Sequence, residues 1–98
     1  MYRSISMPEF DQELKKGLNV IDVRERDEYA NGHVPTAINQ PLSELAQQSA
    51  TLDPEKEYYV ICQSGGRSAK ACEYLANQGL DVINVMGGTS AYKGKLEQ

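Results

Sequence analysis

Only two cysteines and one histidine occur in the chain, and each scarcity removes a class of function. Two cysteines cannot build the disulfide framework of a small secreted domain, and no His/Cys cluster has the spacing of a zinc site. Free thiols and no metal are expected. Long hydrophobic runs are missing too: none approaches the ~20 residues that cross a bilayer. The start, Met1-Tyr2-Arg3-Ser4, leads into polar sequence without the apolar segment of a signal peptide. No membrane partner and a cytoplasmic location are therefore expected. Positive charge is in deficit, with ten basic residues against fourteen acidic ones. No Lys/Arg stripe is present to track a phosphate backbone, so no nucleic acid partner is expected. At 98 residues the chain can bury one core, and residues 1–98 are read as a single domain.

What is present is organised around one stretch, Tyr58-Tyr59-Val60-Ile61-Cys62-Gln63-Ser64-Gly65-Gly66-Arg67-Ser68-Ala69-Lys70. An apolar, β-prone run ends at Cys62, a short loop with two glycines follows, and Ser68 is placed to cap a helix that runs on through Gln78. Unpaired backbone N–H groups at the start of that helix, together with the positive end of its dipole, favour an anion. The anion is either the Cys62 thiolate or a bound oxyanion. Arg67 adds a permanent cation. Cys62 is thus expected to have a lowered pKa and to be a usable nucleophile near neutral pH.

The remaining chain alternates strand and helix. Tyr2 to Ile5 is a short strand candidate, and Ser6 with Glu9 forms a capping-box signature with Pro8 in the first turn. The helix that follows runs to about Lys16 and stops at Gly17. Leu18 to Val23 reads as a buried strand, and the charged cluster Arg24-Glu25-Arg26-Asp27-Glu28 starts a short helix ending near Asn31-Gly32. His33 to Asn39 is irregular or briefly extended, because Pro35 and Pro41 prevent a continuous helix. Ser43 is placed to cap a helix with apolar positions at Leu42, Leu45 and Ala46, and Asp53-Pro54 makes a turn before the strand that delivers Cys62. Ala69, Cys72, Leu75 and Ala76 supply the buried face of the next helix, which Gly79 terminates. Leu80 to Val85 is a last strand, Gly87-Gly88 a tight turn, and Thr89 a cap for a final short helix carrying Ala91 and Tyr92.

Strands alternating with helices at such short spacing predict an α/β domain with a mostly parallel sheet covered on both faces. Ligands of such sheets bind beyond the strand C-termini. The segments Asp22 to Glu28 and Cys62 to Arg67 both follow strands, so they are expected to meet on that edge and form one site.

Taken together the motifs resemble a single-domain rhodanese, the sulfurtransferase fold. The resemblance is carried by Val20-Ile21-Asp22-Val23-Arg24, Glu28, Gly32-His33-Val34-Pro35 with Ala37-Ile38-Asn39, the loop from Cys62 to Ser68, and Gly87-Gly88 followed by Ala91. These pieces span nearly the whole chain. Two positions depart from the family pattern: Thr36 stands where the family often has glycine, and Tyr92 where it often has tryptophan. The resemblance implies a five-stranded, mainly parallel sheet with helices on both faces, and a persulfide formed on Cys62. It implies no metal and no organic cofactor.

Loop length separates two related chemistries. Rhodanese-like phosphatases and arsenate reductases have C-x-x-x-x-x-R, one residue longer than the C-x-x-x-x-R from Cys62 to Arg67, and the smaller cradle suits a sulfur atom. Backbone N–H groups of Gln63, Ser64, Gly65, Gly66, Arg67 and Ser68 are expected to hold the terminal sulfur of a persulfide as an anion. The expected reaction is ping-pong: Cys62 takes sulfane sulfur from thiosulfate or a low-molecular-weight persulfide and passes it to a thiol, a protein acceptor or cyanide. The loop does not resemble that of mercaptopyruvate sulfurtransferases. Arg67 is expected both to shape the loop and to attract an anionic donor. Asp22 and Arg24 are expected to brace the loop after their strand through paired hydrogen bonds. Glu28 has two open readings, a bond toward the active loop or helix surface. His33 is read as structural, since a thiolate activated by its loop needs no base, and Cys72 as core. A persulfide relay and a non-enzymatic interaction module remain as alternatives, and a monomer is the simplest assembly.

Overall fold

Five short strands pair side by side in the computed structural model, which describes residues 2–98. They are β1 (Arg3–Ile5), β2 (Val20–Asp22), β3 (Ile38–Asn39), β4 (Glu57–Ile61) and β5 (Asp81–Val85), all parallel, in the order β1-β5-β4-β2-β3. Between them lie α1 (Met7–Leu14), α2 (Arg26–Ala30), α3 (Leu45–Gln48), α4 (Gly66–Asn77) and, after β5, α5 (Gly88–Ala91). Single 3₁₀ turns at Leu42–Glu44 and Ser49–Thr51 flank α3. Among the described residues no helix is long and apolar enough to cross a membrane.

Strand alternation sends side chains to opposite faces and so makes two cores. On one face Tyr58, Val60 and Cys62 pack with Ala71, Cys72 and Leu75 of α4, Leu45 of α3, and Val82. On the other, Tyr59 and Ile61 pack with Met7 and Phe10 of α1, and with Val34, Ile83 and Val85. The sheet is thereby covered on both sides, as expected for parallel strands. Its register sets Asp22 beside both Ile61 and Asn39, and Val60 beside Asn84. The C-terminal strand ends are therefore nearly flush, and whatever follows them shares one edge of the sheet.

Strand positions and most helix positions agree with the sequence reading to within two residues, and the Ser6 cap is present, its Oγ accepting from the Glu9 N–H at 3.3 Å. Three predicted caps are displaced. Helix α4 is entered through Gly65, whose φ of +113° gives a left-handed entry, so Ser68 lies inside the first turn and is fully buried. Helix α5 is likewise entered through Gly87, at φ +84°, which puts Thr89 inside the helix. Ser43 lies within the 3₁₀ turn after Pro41, and its hydroxyl donates to Glu25. In the first two cases glycine reaches a backbone conformation closed to the serine or threonine that otherwise caps best. The buried face of α4 is Ser68, Ala71, Cys72 and Leu75, with Ala69 and Ala76, expected on it, only half-buried.

One departure from the family pattern has a structural signature. Thr36 has φ +72°, alone in this among the described non-glycine residues. A β-branched side chain is strained in that region, and glycine is not.

Candidate active site

Strand β4 ends one residue before Cys62, and the chain reverses through Gln63, Ser64 and Gly65 directly into α4. Two anchors hold the start of this loop: the Thr89 N–H donates to the Cys62 carbonyl at 2.8 Å, and the Ser90 N–H to the Gln63 carbonyl at 3.0 Å. The approach is close enough that a Cβ on Gly88 would stand 2.6 Å from the Gln63 carbonyl. The paired glycines after β5 thus let α5 seat against the loop. Inside the loop, the Gly65 N–H donates to the Cys62 sulfur at 3.0 Å, and Ser68 Oγ lies 3.3 Å from it.

These contacts set the state of the sulfur. Burial pushes the Cys62 thiol up, but the Ser68 hydroxyl and the backbone N–H groups of Ser68, Gly65 and Ser64 together outweigh it, and the pKa falls below that of an ordinary thiol. Cys72, ten residues on in the core beneath, has no such donors. Burial, with a smaller contribution from the nearby Cys62, pushes it up to about 12. One cysteine is tuned to ionise and the other is not.

The charged residues of the sequence reading do converge on this edge, as a brace around the loop. Arg67 Nη1 and Nη2 donate to Glu28 Oε1 and Oε2 at 2.6 and 2.9 Å. The pair holds the Glu28 carboxyl well below the usual range, at about 2, chiefly through the Arg67 hydrogen bonds. Glu28 Oε1 also accepts the Glu25 N–H at 3.0 Å, so one carboxylate both caps α2 and ties it to α4. Of the two open readings for Glu28, the structure has the bond toward the loop segment. Arg67 is consequently an ion-paired guanidinium, about a third exposed, with N–H donors to spare.

Asp22, fully buried, accepts the Arg24 backbone N–H at 2.9 Å, Arg24 Nε at 3.1 Å and Arg24 Nη2 at 2.8 Å. Arg24 goes on to the Gly32 carbonyl at 2.7 Å and to Gln63 Oε1 at 3.3 Å, which links the segment after β2 to the cysteine loop. His33 is placed elsewhere. Its ring stacks on Tyr29 at 3.8 Å, Nδ1 lies 3.0 Å from the Tyr29 carbonyl, and its backbone pairs with Glu97. Among the described residues none of its hydrogen bonds reaches the loop.

Comparison with known proteins places the whole arrangement in a family. The model of the rhodanese-like domain family matches residues 6–95. The chain belongs to the rhodanese-like domain family. It is 42% identical over 85 residues to a provisionally named sulfurtransferase of Bacillus subtilis, YtwF, covering 87% of this chain and 82% of that one. It is 32% identical over 95 residues to the thiosulfate sulfurtransferase GlpE of Coxiella burnetii, covering 95% of this chain and 89% of that one. The crystal structure of a rhodanese-like domain protein from Staphylococcus aureus superposes with a TM-score of 0.89 at 34% identity, covering 97% of this chain and 96% of the other.

Two asparagines of this rhodanese-like domain carry contacts that the sequence patterns do not assign. Asn39 Nδ2 donates to the carbonyls of Asp22 and Arg24 at 3.0 and 2.9 Å, satisfying the backbone where the chain leaves β2. Asn84, the fourth of the five residues of β5, is buried with Oδ1 2.6 Å from Ser68 Oγ. The signal for Asn84 was available: it is a polar residue within the apolar run Val82-Ile83-Asn84-Val85, and a buried carboxamide needs a partner.

Proposed function

We propose that the protein is a sulfurtransferase whose Cys62 thiolate carries sulfane sulfur as a persulfide. The observation that carries this reading is the Cys62 sulfur at 3.0 Å from the Gly65 N–H, within a loop too short to wrap a tetrahedral oxyanion in the manner of the longer C-x-x-x-x-x-R loops. With thiosulfate as donor, the thiolate attacks the outer sulfur, the S–S bond of the donor breaks, and sulfite leaves with the electron pair. The product is Cys62–S–S⁻, whose terminal sulfur is one bond beyond Sγ. The backbone N–H groups of Ser64, Gly65 and Ser68 already act on Sγ, and the terminal sulfur is expected to meet amides from Gln63 to Ser68 together with the N-terminal end of α4. An acceptor thiolate or cyanide then attacks the terminal sulfur, and the bond to Cys62 breaks to restore the thiolate. A low-molecular-weight persulfide serves as donor by the same step, its thiolate leaving. No metal or organic cofactor enters either half-reaction. Cys62 itself is buried, but Gln63, Ser64 and Gly66 are exposed around it, so an acceptor thiol is expected to meet the terminal sulfur at this rim.

Incubation with thiosulfate followed by intact-mass and peptide analysis tests this reading. One added sulfur on the Cys62 peptide, released by cyanide and absent in Cys62→Ser, is the expected result. Sulfur transfer that persists in Cys62→Ser overturns the mechanism.

A further inference from the structure

Ser68 has one hydroxyl proton and three places to put it. Asn84 Oδ1 lies at 2.6 Å, the Gly65 carbonyl at 3.1 Å and the Cys62 sulfur at 3.3 Å. When Cys62 is a thiol the arrangement is consistent: Ser68 donates to Asn84 Oδ1 at the shortest of the three distances, and the S–H donates to Ser68 Oγ. When Cys62 is a thiolate it is not. The sulfur then needs the Ser68 proton, and turning the hydroxyl toward it leaves Ser68 Oγ facing Asn84 Oδ1 at 2.6 Å with no hydrogen between two oxygens. A half-turn of the carboxamide about its last torsion removes this conflict, because Asn84 Nδ2 then donates to Ser68 Oγ while Ser68 donates to the thiolate. Asparagine has both an acceptor and a donor end; aspartate and leucine do not.

We infer that Asn84 is a positioning residue for Cys62, acting through the Ser68 hydroxyl: its carboxamide accepts from Ser68 beside the thiol and, reversed, donates to Ser68 beside the thiolate. The placement fits this role. Ser68 is fully buried and Asn84 nearly so, and β5 and α4 carry them to the same face of the sheet as Cys62. The thiol proton itself is lost to solvent; no proton is transferred to the carboxamide. Other titratable groups around Cys62 are Arg67 and Cys72 from α4, Asp22 and Arg24 at the end of β2, and Glu28 from α2. From β5 there is only Asp81, at the far end of the strand, and from α5 none. All of them stay the same across variants at position 84, so differences between variants report the carboxamide.

This inference rests on Cys62 being the reacting thiol, yet its test reads the thiol and not sulfur transfer. The rate of alkylation of the Cys62 peptide is followed against pH in the wild type, Ser68→Ala, Asn84→Leu and the double variant. Ser68→Ala is expected to raise the midpoint by about one pH unit, and Asn84→Leu by about half a unit, which is roughly a threefold loss of rate at a fixed pH below both midpoints. In the Ser68→Ala background Asn84→Leu is expected to add nothing further, because the carboxamide acts only through the hydroxyl. A wild-type midpoint in Asn84→Leu, or the same shift with and without Ser68, overturns the proposal. Should Asn84→Leu fail to fold, Asn84→Asp decides. Its acceptor-only carboxylate is expected to raise the midpoint by more than one unit with Ser68 present and by clearly less in Ser68→Ala, and equal shifts overturn the inference. A Cys62 midpoint that responds as expected in a protein that transfers no sulfur refutes the proposed function and leaves this inference standing.

Discussion

At the residue scale, the two cysteines differ in ionisation and hardly at all in exposure. Cys62 is 1% exposed and Cys72 fully buried, so access alone does not favour one. Donors around Cys62 and their lack around Cys72 do, with Cys62 lowered and Cys72 raised to about 12. Alkylation at neutral pH with a small reagent, mapped by mass spectrometry, is therefore expected to label Cys62 far faster, and equal labelling contradicts the assignment. Cys72→Ser is expected to keep turnover while losing about 1–3 kcal/mol of stability in denaturant titration, from a hydroxyl buried without a partner. Arg67 poses a second question at this scale. Paired face to face with Glu28, it braces α4 against α2. Glu28→Gln and Arg67→Ala are expected to lower kcat/KM for thiosulfate together, with Arg67→Lys recovering little, because lysine lacks the planar fork. A fall in the thiosulfate KM of Glu28→Gln would instead mark Arg67 as an anion site that the carboxylate had been masking.

At the scale of elements, the same pair makes the junction of two helices sensitive to acid. Glu28 has a folded pKa of about 2, below its unfolded value. Its stabilisation is thus fully present above the ordinary carboxylate range and is lost as pH falls toward about 2. For a pair about one-third exposed on each side the loss is expected to be about 1 kcal/mol once solvent screening is allowed for. Glu28→Gln should flatten that part of the stability curve, measured by urea denaturation between neutral and acidic pH. The turn before β3 holds a different kind of stress, in Thr36 at φ +72°. Thr36→Gly relieves strain of about 1–3 kcal/mol and costs about 0.5–1 kcal/mol of chain entropy, so a net gain of about 1 kcal/mol and a higher Tm are expected. A lower Tm would show that the threonine side chain contributes more than its backbone costs.

Across the whole molecule, the alternation of strand and helix, the two-sided burial of β4, and the placing of Cys62 at a strand end before a glycine loop are all legible in the amino-acid order. Those features are written in local patterns: period-two and period-3.6 hydrophobicity, turn residues, and a thiol where an apolar run stops. Local pattern misplaces the caps of α4 and α5, where glycine in a left-handed conformation, at Gly65 and Gly87, takes the place of Ser68 and Thr89. Which charges pair depends instead on how the elements pack. Glu28 and Arg67 are 39 residues apart, and the chain offers fourteen acidic side chains among which a pattern of spacing cannot choose. The same holds for Ser68 and Asn84, which become neighbours because parallel pairing sets Asn84 beside Val60 while α4 folds back over the strand that ends before Cys62. Sequence periodicity fixes which face a side chain takes, but the partner across that face follows from strand order and register, and those are properties of the packed sheet.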